Sequence, residues 1–536
     1  MNRQIADAVK AGSCFLGIEL GSTRIKAVLT DAQLIPIAQG SFTWSDRLED
    51  GIWTYDLDDA MKGVSAAYMG MKNDLKEKCG EVPKTLAGVG ISAMMHGYIA
   101  RDKAGKLLVP FRTWRNTITA QAAEELTRLF NFNIPQRWTI AHLYQALLNN
   151  EPHLDYLDNV TALEGYVHEM LTGERVLGID EASGLMPLAP NATVENAKYD
   201  PDMAEKFRKL TAEKGREMDI YKLFPRIVPC GEVAGRLTEK GAAMLDPEGD
   251  LKPGVPFCPP EGDAGTGMVA TASVRPLTGN ISAGTSIFSM IVLDKPLSYP
   301  YPEIDVVCTP AGKQVAMAHC NTCTSDLNAW MGMFKQLLKT FGAEPDSNEL
   351  YTRLFKLAMT GDPDCGGTLS YNFFAGEPVM GLEKGCPMTM RVPGKELTLE
   401  NFMRSLLISS IAGLRFGSDI LDKEGVKVTK LTAHGGLLTT PGVVQKLLAA
   451  ALKTKIAVLK TAGEGGPWGM AVLAGYMGRK DRSKSLEDFV DEAVLATGEA
   501  IIEEPEEDIA RGIDEYMKQY RALLPAQIAA ADVLAK

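Results

Sequence analysis

A short run near the start of the chain constrains the fold most. In residues 15–31, β-forming residues carry an acid at Glu19, and the chain then turns through Gly21, Ser22 and Thr23. A second β-forming run follows, so the pattern predicts a hairpin of two buried strands. Backbone N–H and hydroxyl groups in such a turn can bind a polyphosphate, and an acid before it can hold Mg²⁺ through water. An ordinary hairpin with an exposed turn fits the same residues.

Further motifs rich in glycine and polar residues follow along the chain. In order they are Met94-Met-His-Gly97, Trp114-Arg-Asn116, Gly262-Asp-Ala-Gly265, Ser282-Ala-Gly-Thr-Ser286, His434-Gly-Gly-Leu-Leu438 and the small-residue run from Gly465 to Gly475. The first turn and the last three motifs resemble the phosphate, adenosine and closing-helix motifs of the sugar kinase, actin and heat-shock chaperone superfamily. The first three motifs listed above resemble the sugar-site signatures of FGGY carbohydrate kinases, and Met-His-Gly is most similar to xylulokinases.

The resemblance implies an α/β fold with two RNase H-like domains, of the actin-like ATPase type, around a central nucleotide and sugar cleft. A chain of 536 residues is also too long for one core, which predicts two domains. The predicted N-terminal domain, residues 1–276, holds the first phosphate loop, the sugar site and the catalytic base. The predicted C-terminal domain, residues 277–536, holds the second phosphate loop, the adenosine site and a helical tail over residues 484–536. Residues 173–258 have weak periodicity, and the sequence does not divide them.

One acidic residue is the candidate catalytic base. Phosphoryl transfer requires an acceptor in line, compensation of phosphate charge and removal of the hydroxyl proton. A carboxylate within hydrogen-bond reach can accept that proton. Asp263 lies between small residues, and by the resemblance it matches the FGGY general base and also contacts the sugar. The alternative is an Asp that stabilises a glycine-rich turn through its own backbone.

The resemblance further implies ATP as the phosphoryl donor and Mg²⁺ as its cofactor, with Glu19 as the metal ligand. The predicted ATP-binding residues are Gly21, Ser22, Thr23, Lys26, Gly284, Thr285, Ser286, Gly435, Gly436 and Leu437. Strand alternation leaves open whether Lys26 faces the cleft or solvent. A plain turn is the alternative for the paired glycines, which allow close approach of a nucleotide.

For the sugar, Met95 and His96 occupy the family's position for contacts with ketopentose hydroxyls. Trp114 can stack on a sugar carbon chain, and Asn116 can hydrogen-bond its hydroxyls. A structural histidine and a core-packed tryptophan are the alternatives. The predicted function is transfer of the γ-phosphoryl group of ATP to a hydroxyl of a ketopentose such as xylulose or ribulose. The alternative function is an actin-like or chaperone-like ATPase, or a sugar sensor, without sugar phosphorylation.

Three residues depart from the family pattern. Glu19 stands where the metal acid is usually Asp, Asn116 stands where the family has Asp, and Ala264 follows the base where xylulokinases often have Asn. These changes keep the kinase chemistry, but they leave the identity of the sugar open.

Charge and hydropathy bear on the partners. The net charge is −12, and no cluster of Lys and Arg breaks it, so nucleic-acid binding is not expected. There is no run of eighteen apolar residues and no signal-peptide core, so we expect no membrane and a cytoplasmic location. The expected partners are the sugar and ATP, and a homodimer is an open alternative.

Overall fold

The computed structural model describes residues 2–459, 465–496, 498 and 500–534. The chain forms two compact units that interleave in sequence. The first comprises Met1–Val274, Val306–Val315 and Glu464–Gly498, and the second comprises Arg275–Asp305, Ala316–Gly463 and Glu499–Lys536. The predicted domains, by contrast, are each contiguous in sequence. Within the described ranges, no helix has the length and apolar character needed to cross a membrane.

The first unit is built on a mixed seven-stranded sheet. In sheet order its strands are Pro36–Thr43, Arg24–Thr30, Phe15–Leu20, Gly88–Ala93, Pro256–Phe257 and Gly235–Arg236, with Glu261–Gly262 also paired to Gly88–Ala93. Phe15–Leu20 pairs antiparallel with Arg24–Thr30 and parallel with Gly88–Ala93. The predicted hairpin of two buried strands is therefore confirmed. Short strand pairs outside this sheet join Arg47–Glu49 to Ile52–Thr54, Ile99–Arg101 to Asn159–Thr161, and Val176–Leu177 to Arg226–Ile227.

Helices cover this sheet and follow its connections. They are Asn2–Lys10, Leu57–Cys79, Ala120–Phe130, Thr139–Leu148, Leu163–Thr172, Ile179–Leu185, Pro201–Glu213, Ile220–Leu223, Glu239–Leu245, Asp263–Ala270, Gly465–Met477 and Leu486–Ala496. The longest of them, Leu57–Cys79, begins where the Asp56 carboxylate accepts hydrogen bonds from two backbone N–H groups, and it ends at Gly80 in the left-handed conformation. Its buried face adds to the apolar core of the unit.

Small residues explain why a late helix belongs to the first unit. A side chain at Gly17 of the first strand would overlap the carbonyl group of Pro467 in helix Gly465–Met477. A side chain at Gly469 of that helix would overlap the carbonyl group of Thr266. The helix backbone therefore lies directly against the first strand and helix Asp263–Ala270, which a contiguous domain ending at residue 276 could not include.

A second seven-stranded sheet repeats the pattern of the first. Its strand order is Asp305–Cys308, Gln314–Cys320, Ile287–Val292, Thr278–Ala283, Lys430–His434, Lys455–Leu459 and Ala500–Glu503, and Thr368–Tyr371 pairs separately with Met388–Arg391. Thr278–Ala283 pairs antiparallel with Ile287–Val292 and parallel with Lys430–His434. The helices of the second unit are Ser325–Thr340, Ser347–Ala358, Leu399–Lys423, Val444–Leu452, Glu507–Ala522 and Leu524–Leu534.

The predicted helical tail is wrong at one place. Ala500–Glu503 is a strand that pairs antiparallel with Lys455–Leu459 at the edge of the second sheet. Its two β-branched residues, Ile501 and Ile502, favour an extended backbone. The acidic residues around them hid this signal in the sequence.

Candidate active site

A row of polar side chains crosses the first sheet beside its hairpin turn. Glu19 lies opposite Lys26 on one neighbouring strand and opposite Ser92 on the other. Glu261 lies opposite Ser92 in turn. Directly paired residues project from the same face of a sheet. Lys26 therefore shares the face of Glu19, which answers the question that strand alternation left open.

Glu19 is half-buried, and its carboxylate lies against the backbone of Gly466, where any side chain would overlap it. Burial, together with a smaller effect of the negative charge of Asp263, raises the pKa of Glu19 to about 8, and Lys26 opposes the shift. A nearby cation would stabilise the ionised form of this carboxyl and so lower its raised pKa.

Two aromatic side chains hold the first turn in place by donating hydrogen bonds to its carbonyl groups. The indole N–H of Trp44 donates to the carbonyl oxygen of Gly21 at 2.7 Å, and the Tyr55 hydroxyl donates to that of Ser22 at 2.7 Å. Ser22 and Thr23 themselves are exposed. No group in the described part of the chain accepts a hydrogen bond from either of their backbone N–H groups. These two N–H groups are therefore available to donate to an anion.

Asp263 is the first residue of helix Asp263–Ala270, and its side chain is exposed. Its Oδ1 atom accepts a hydrogen bond from the N–H of Met95 at 3.1 Å. The surrounding protein mass raises the pKa of Asp263 to about 6, and the backbone N–H groups of Met95 and Ala264 oppose that rise. A fixed, reachable carboxylate that ionises just below neutral pH is suited to accept a proton.

His96 is held from two sides in an unusual backbone conformation. Its φ is 72°, in the left-handed region that non-glycine residues seldom adopt. Its N–H donates to Oε1 of Glu181 at 3.0 Å, and its Nδ1 lies 3.1 Å from the carbonyl oxygen of Gly184. Since a carbonyl oxygen only accepts, Nδ1 carries the proton and Nε2 is an acceptor. Burial lowers the pKa of His96 well below its usual value, so the ring is neutral.

The predicted Trp114 and Asn116 differ in what they can offer a ligand. Trp114 is half-buried and packs partly against the apolar core. The amide of Asn116 accepts from the N–H of Trp53 at 2.9 Å and donates to the Trp53 carbonyl at 2.8 Å and the Thr113 carbonyl at 3.0 Å. Both ends of this amide thus hold a loop, and sugar binding by Asn116 stays a prediction that these contacts do not support.

A group of buried carboxyls behind Asp263 was not predicted from the sequence. They are Glu164, Asp180, Glu181 and Glu261, which are at most 1% exposed. Burial raises the pKa of each of them; the negative charge of Asp180 adds to the rise in the three glutamates, and that of Asp263 adds to it in Asp180. Two of them lie in helix Ile179–Leu185, inside the segment that the sequence left undivided. An acidic pair one residue after a glycine, in Gly178-Ile-Asp-Glu181, is the signal that could have pointed to them.

The turn of the second unit is also held through its carbonyl groups. The hydroxyl of Thr324 donates to the carbonyl oxygen of Gly284 at 2.9 Å, and the N–H of Cys323 donates to that of Thr285 at 2.8 Å. The N–H of Gly284 donates to the Ser286 carbonyl at 2.9 Å and closes the turn. Thr285 is exposed at the tip.

A buried acid supports the loop behind that second turn. The carboxylate of Glu377, which is 0% exposed, accepts from the N–H groups of Asn321 and Thr322, each at 2.8 Å. Burial raises the pKa of Glu377 to about 7. The role of this residue could not be predicted from the sequence, because its partners lie far away along the chain.

The two glycines of the predicted adenosine turn have different environments. Gly435 has a φ of 115°, and a side chain there would overlap the carbonyl group of Ala283. Its glycine is therefore required by the neighbouring strand, whether or not a ligand is bound. Around Gly436 a side chain would meet nothing within 4 Å, so this backbone is open to a ligand. Leu437 is buried, and only its backbone could contact one.

Two mixed sheets, each opening with a hairpin whose turn presents hydroxyl and N–H groups, define a two-domain actin-like ATPase fold. Residues 14–270 match the N-terminal domain, and residues 279–478 match the C-terminal domain, of the FGGY family of carbohydrate kinases. The chain belongs to this family. It is therefore a phosphotransferase that uses an alcohol group of a carbohydrate as acceptor, which excludes the alternative of an ATPase or sensor without sugar phosphorylation.

Named proteins similar to the chain differ in their substrates. A xylulose kinase from Haemophilus influenzae is 20% identical over 438 residues, which are 79% of this chain and 82% of that protein. The structure of a xylulose kinase from Rhodospirillum rubrum aligns with a TM-score of 0.75 at 18% identity, covering 96% of this chain and 99% of that one. A gluconate kinase from Lactobacillus acidophilus aligns with a TM-score of 0.77 at 16% identity, covering 97% and 99%. At these identities the structures establish the fold and leave the sugar open.

Proposed function

We propose that this protein phosphorylates a ketopentose such as xylulose or ribulose, with ATP as donor, Mg²⁺ as cofactor and Asp263 as general base. The observation that carries the proposal is the placement of Asp263. Its carboxylate is fixed by the N–H of Met95, exposed to an incoming hydroxyl, and next to the loop of His96. The relative named as a xylulose kinase supports a ketopentose over other sugars.

The proposed step is a direct transfer. Asp263 takes the proton of the sugar hydroxyl as that oxygen forms a bond to the γ-phosphorus of ATP. The bond between this phosphorus and the β,γ-bridging oxygen breaks, and ADP leaves. A base with a pKa of about 6 is ionised at neutral pH and is still a strong enough acceptor to take part in the transfer.

Glu19 is proposed as the acid that interacts with the hydrated Mg²⁺ ion. Mg²⁺ prefers oxygen ligands and keeps several waters, and the half-buried carboxyl of Glu19 with its raised pKa suits such a partner. When bound, the ion would offset the charge of the phosphates. Glu19 would orient the hydrated ion, and Lys26 on the same face would add positive charge.

The nucleotide and sugar contacts follow from the donor and acceptor groups. We propose Gly21, Ser22 and Thr23 as the phosphate turn of the first unit, and Gly284, Thr285 and Ser286 as that of the second. Gly435, Gly436 and Leu437 are proposed to contact the adenosine through backbone groups. For the sugar, Nε2 of His96 would accept from a hydroxyl, and Met95 and the indole of Trp114 would contact carbon atoms.

A substrate panel tests this proposal. We would measure ADP release with xylulose, ribulose, gluconate, glycerol and fuculose, for the wild type and for Asp263→Ala. The proposal predicts the highest kcat/KM for a ketopentose and the loss of that activity in the variant. A preference for gluconate or glycerol would overturn the ketopentose assignment, and full activity of Asp263→Ala would remove the proposed base.

A further inference from the structure

Two helices that hold the proposed site lack caps of their own. Helix Ile179–Leu185 follows Gly178, helix Asp263–Ala270 follows Gly262, and neither glycine can provide a side-chain cap. The first N–H groups of a helix have no partner within it, and they need an acceptor when they are buried.

Each helix obtains its acceptor from the other. Oε2 of Glu261, next to the start of the second helix, accepts from the N–H of Asp180 at 2.9 Å and from that of Glu181 at 3.4 Å. Oδ2 of Asp180, in the first turn of the first helix, accepts from the N–H of Gly265 at 3.2 Å. The capping is therefore reciprocal between two segments that lie far apart in the sequence.

This arrangement explains the glycines. The φ angles of Gly178 and Gly262 are −77° and −70°, which any residue can adopt. A side chain at Gly178 would instead overlap the carboxylate of Glu261, and a Cβ on Gly262 would lie 2.8 Å from Oε2 of Glu181 and 3.0 Å from Oδ2 of Asp180. At the start of each helix, carboxylates from the other segment occupy the space that a local capping side chain would need.

The same helices are joined to the sugar loop. Glu181 accepts from the N–H of His96 at 3.0 Å, and Asp263 accepts from the N–H of Met95 at 3.1 Å. Because Met95 and His96 are adjacent, these contacts and the cap at Asp180 form a closed circuit. A shift of either helix would move the catalytic carboxylate relative to the sugar loop.

We propose that Asp180 and Glu261 are positioning residues for phosphoryl transfer, and that their reciprocal caps fix Asp263 against the Met95–His96 loop. The inference rests on the proposed role of Asp263. Both side chains are at most 1% exposed, so they act through the two helices and not on the substrate. Capping needs only an acceptor oxygen, so an amide should serve in place of either carboxyl.

Paired variants of Asp180 separate the cap from the charge. Asp180→Ala removes the acceptor, and kcat should fall by about 10²-fold because a shift of 1 Å at a reacting group costs that much. Asp180→Asn keeps an acceptor oxygen and should stay within about threefold of wild type. Asp200 is the matched control, because it is buried and caps helix Pro201–Glu213, which takes no part in the reciprocal caps. Asp200→Ala should lower Tm by about 2–4 °C and leave kcat unchanged.

A rescue variant tests the second cap. Glu261→Ala empties the space next to Gly178, so Gly178→Ser can then act as a local N-cap for Asp180 and Glu181. The double variant Glu261→Ala/Gly178→Ser should regain most of the kcat that Glu261→Ala loses. In the wild-type background, Gly178→Ser should be harmful because its side chain would overlap Glu261.

Hydrogen exchange reads the positioning without using activity. Asp180→Ala should speed amide exchange in residues 262–270 and 94–97, and Asp180→Asn and Asp200→Ala should leave both segments as in the wild type. Unchanged exchange in Asp180→Ala, or equal damage from Ala and Asn, would overturn the inference. If no ketopentose were phosphorylated, the proposed function would fail, whereas the exchange pattern would still decide whether the caps hold these segments.

Discussion

The hairpins that open the two sheets have the same plan and different chemistry. In the first, Leu20 pairs with Ile25 and leaves a turn of four residues; in the second, Ala283 pairs with Ile287 and leaves three. The residue two positions before the turn glycine is Glu19 in the first hairpin. In the second hairpin the corresponding residue is Ser282.

The neighbours of these two positions extend the difference. Glu19 has Lys26 and Ser92 as its partners across the sheet, whereas Ser282 has Phe288 and His434. Burial lowers the pKa of His434, so this second row carries no ionised group near neutral pH. The two hairpins therefore share turns with N–H and hydroxyl groups, whereas a carboxyl stands at this position in the first hairpin and not in the second. Substitutions in and near the two hairpins test this difference.

The largest effect is expected at the base. Asp263→Asn keeps the shape of the side chain but cannot take a proton, so kcat should fall by about 10²–10⁴-fold. The Kd for ATP should stay near the wild-type value, because the nucleotide contacts are untouched. Steady-state kinetics and calorimetric titration with ATP measure the two quantities. A variant with normal turnover would show that a group other than Asp263 accepts the proton of the sugar hydroxyl.

A smaller effect is expected at the unequal hairpin position. Glu19→Gln should lower kcat by about 10–10²-fold, because the charge that orients the metal is lost, and raised Mg²⁺ should restore part of it. Glu19→Asp should remain active. The matched change in the other hairpin, Ser282→Ala, should change kcat by less than about twofold, since a half-buried hydroxyl contributes little. Equal effects at the two positions would contradict the comparison.

The raised pKa of Glu19 predicts a pH dependence. Its carboxyl is protonated below a pKa of about 8 in the free protein, and only the ionised form attracts a cation. At saturating sugar, kcat/KM for MgATP should therefore rise by up to about tenfold per pH unit as the pH approaches 8 from below. Glu19→Gln should flatten this rise, and a profile unchanged by that substitution would assign the titration to another group.

The smallest effects are expected where the two hairpins are alike. Trp44→Phe removes the donor to Gly21, and Thr324→Val removes the donor to Gly284. Each loses one hydrogen bond of about 1 kcal/mol, so KM for ATP should rise by at most about fivefold in both. Thr340→Val, which removes a hydroxyl from an exposed helix end, is the control. A large effect in only one of the two turns would argue against their common role.

Part of the fold and part of the candidate site could be predicted from the sequence, because the signals for them are local. Strand propensity and turn residues indicated the first hairpin, the motif from Ser282 to Ser286 indicated a second phosphate loop by resemblance, and small residues around Asp263 marked the candidate base. The position of Lys26 could not be read in the same way, since it depends on the pairing register with Glu19.

Contacts between segments that lie far apart in the sequence could not be predicted from local sequence patterns. Asp180 and Glu261 meet only after folding, and the segment around Asp180 has only weak periodicity. Asn116 was predicted to bind sugar, yet its amide holds the backbone of Trp53. Gly435 was predicted to admit a nucleotide, although the close approach of Ala283 already requires a glycine there.

The most direct test of the account is the pH dependence of kcat/KM for the ketopentose at saturating MgATP. Desolvation by the surrounding protein raises the pKa of the accessible Asp263 carboxyl to about 6, and the proposed base must be ionised to act. The rate constant should therefore be level above pH 6 and fall about tenfold for each pH unit below it. A rate constant that stays level down to pH 5, or a low-pH fall that persists with full activity in Asp263→Asn, would contradict the account.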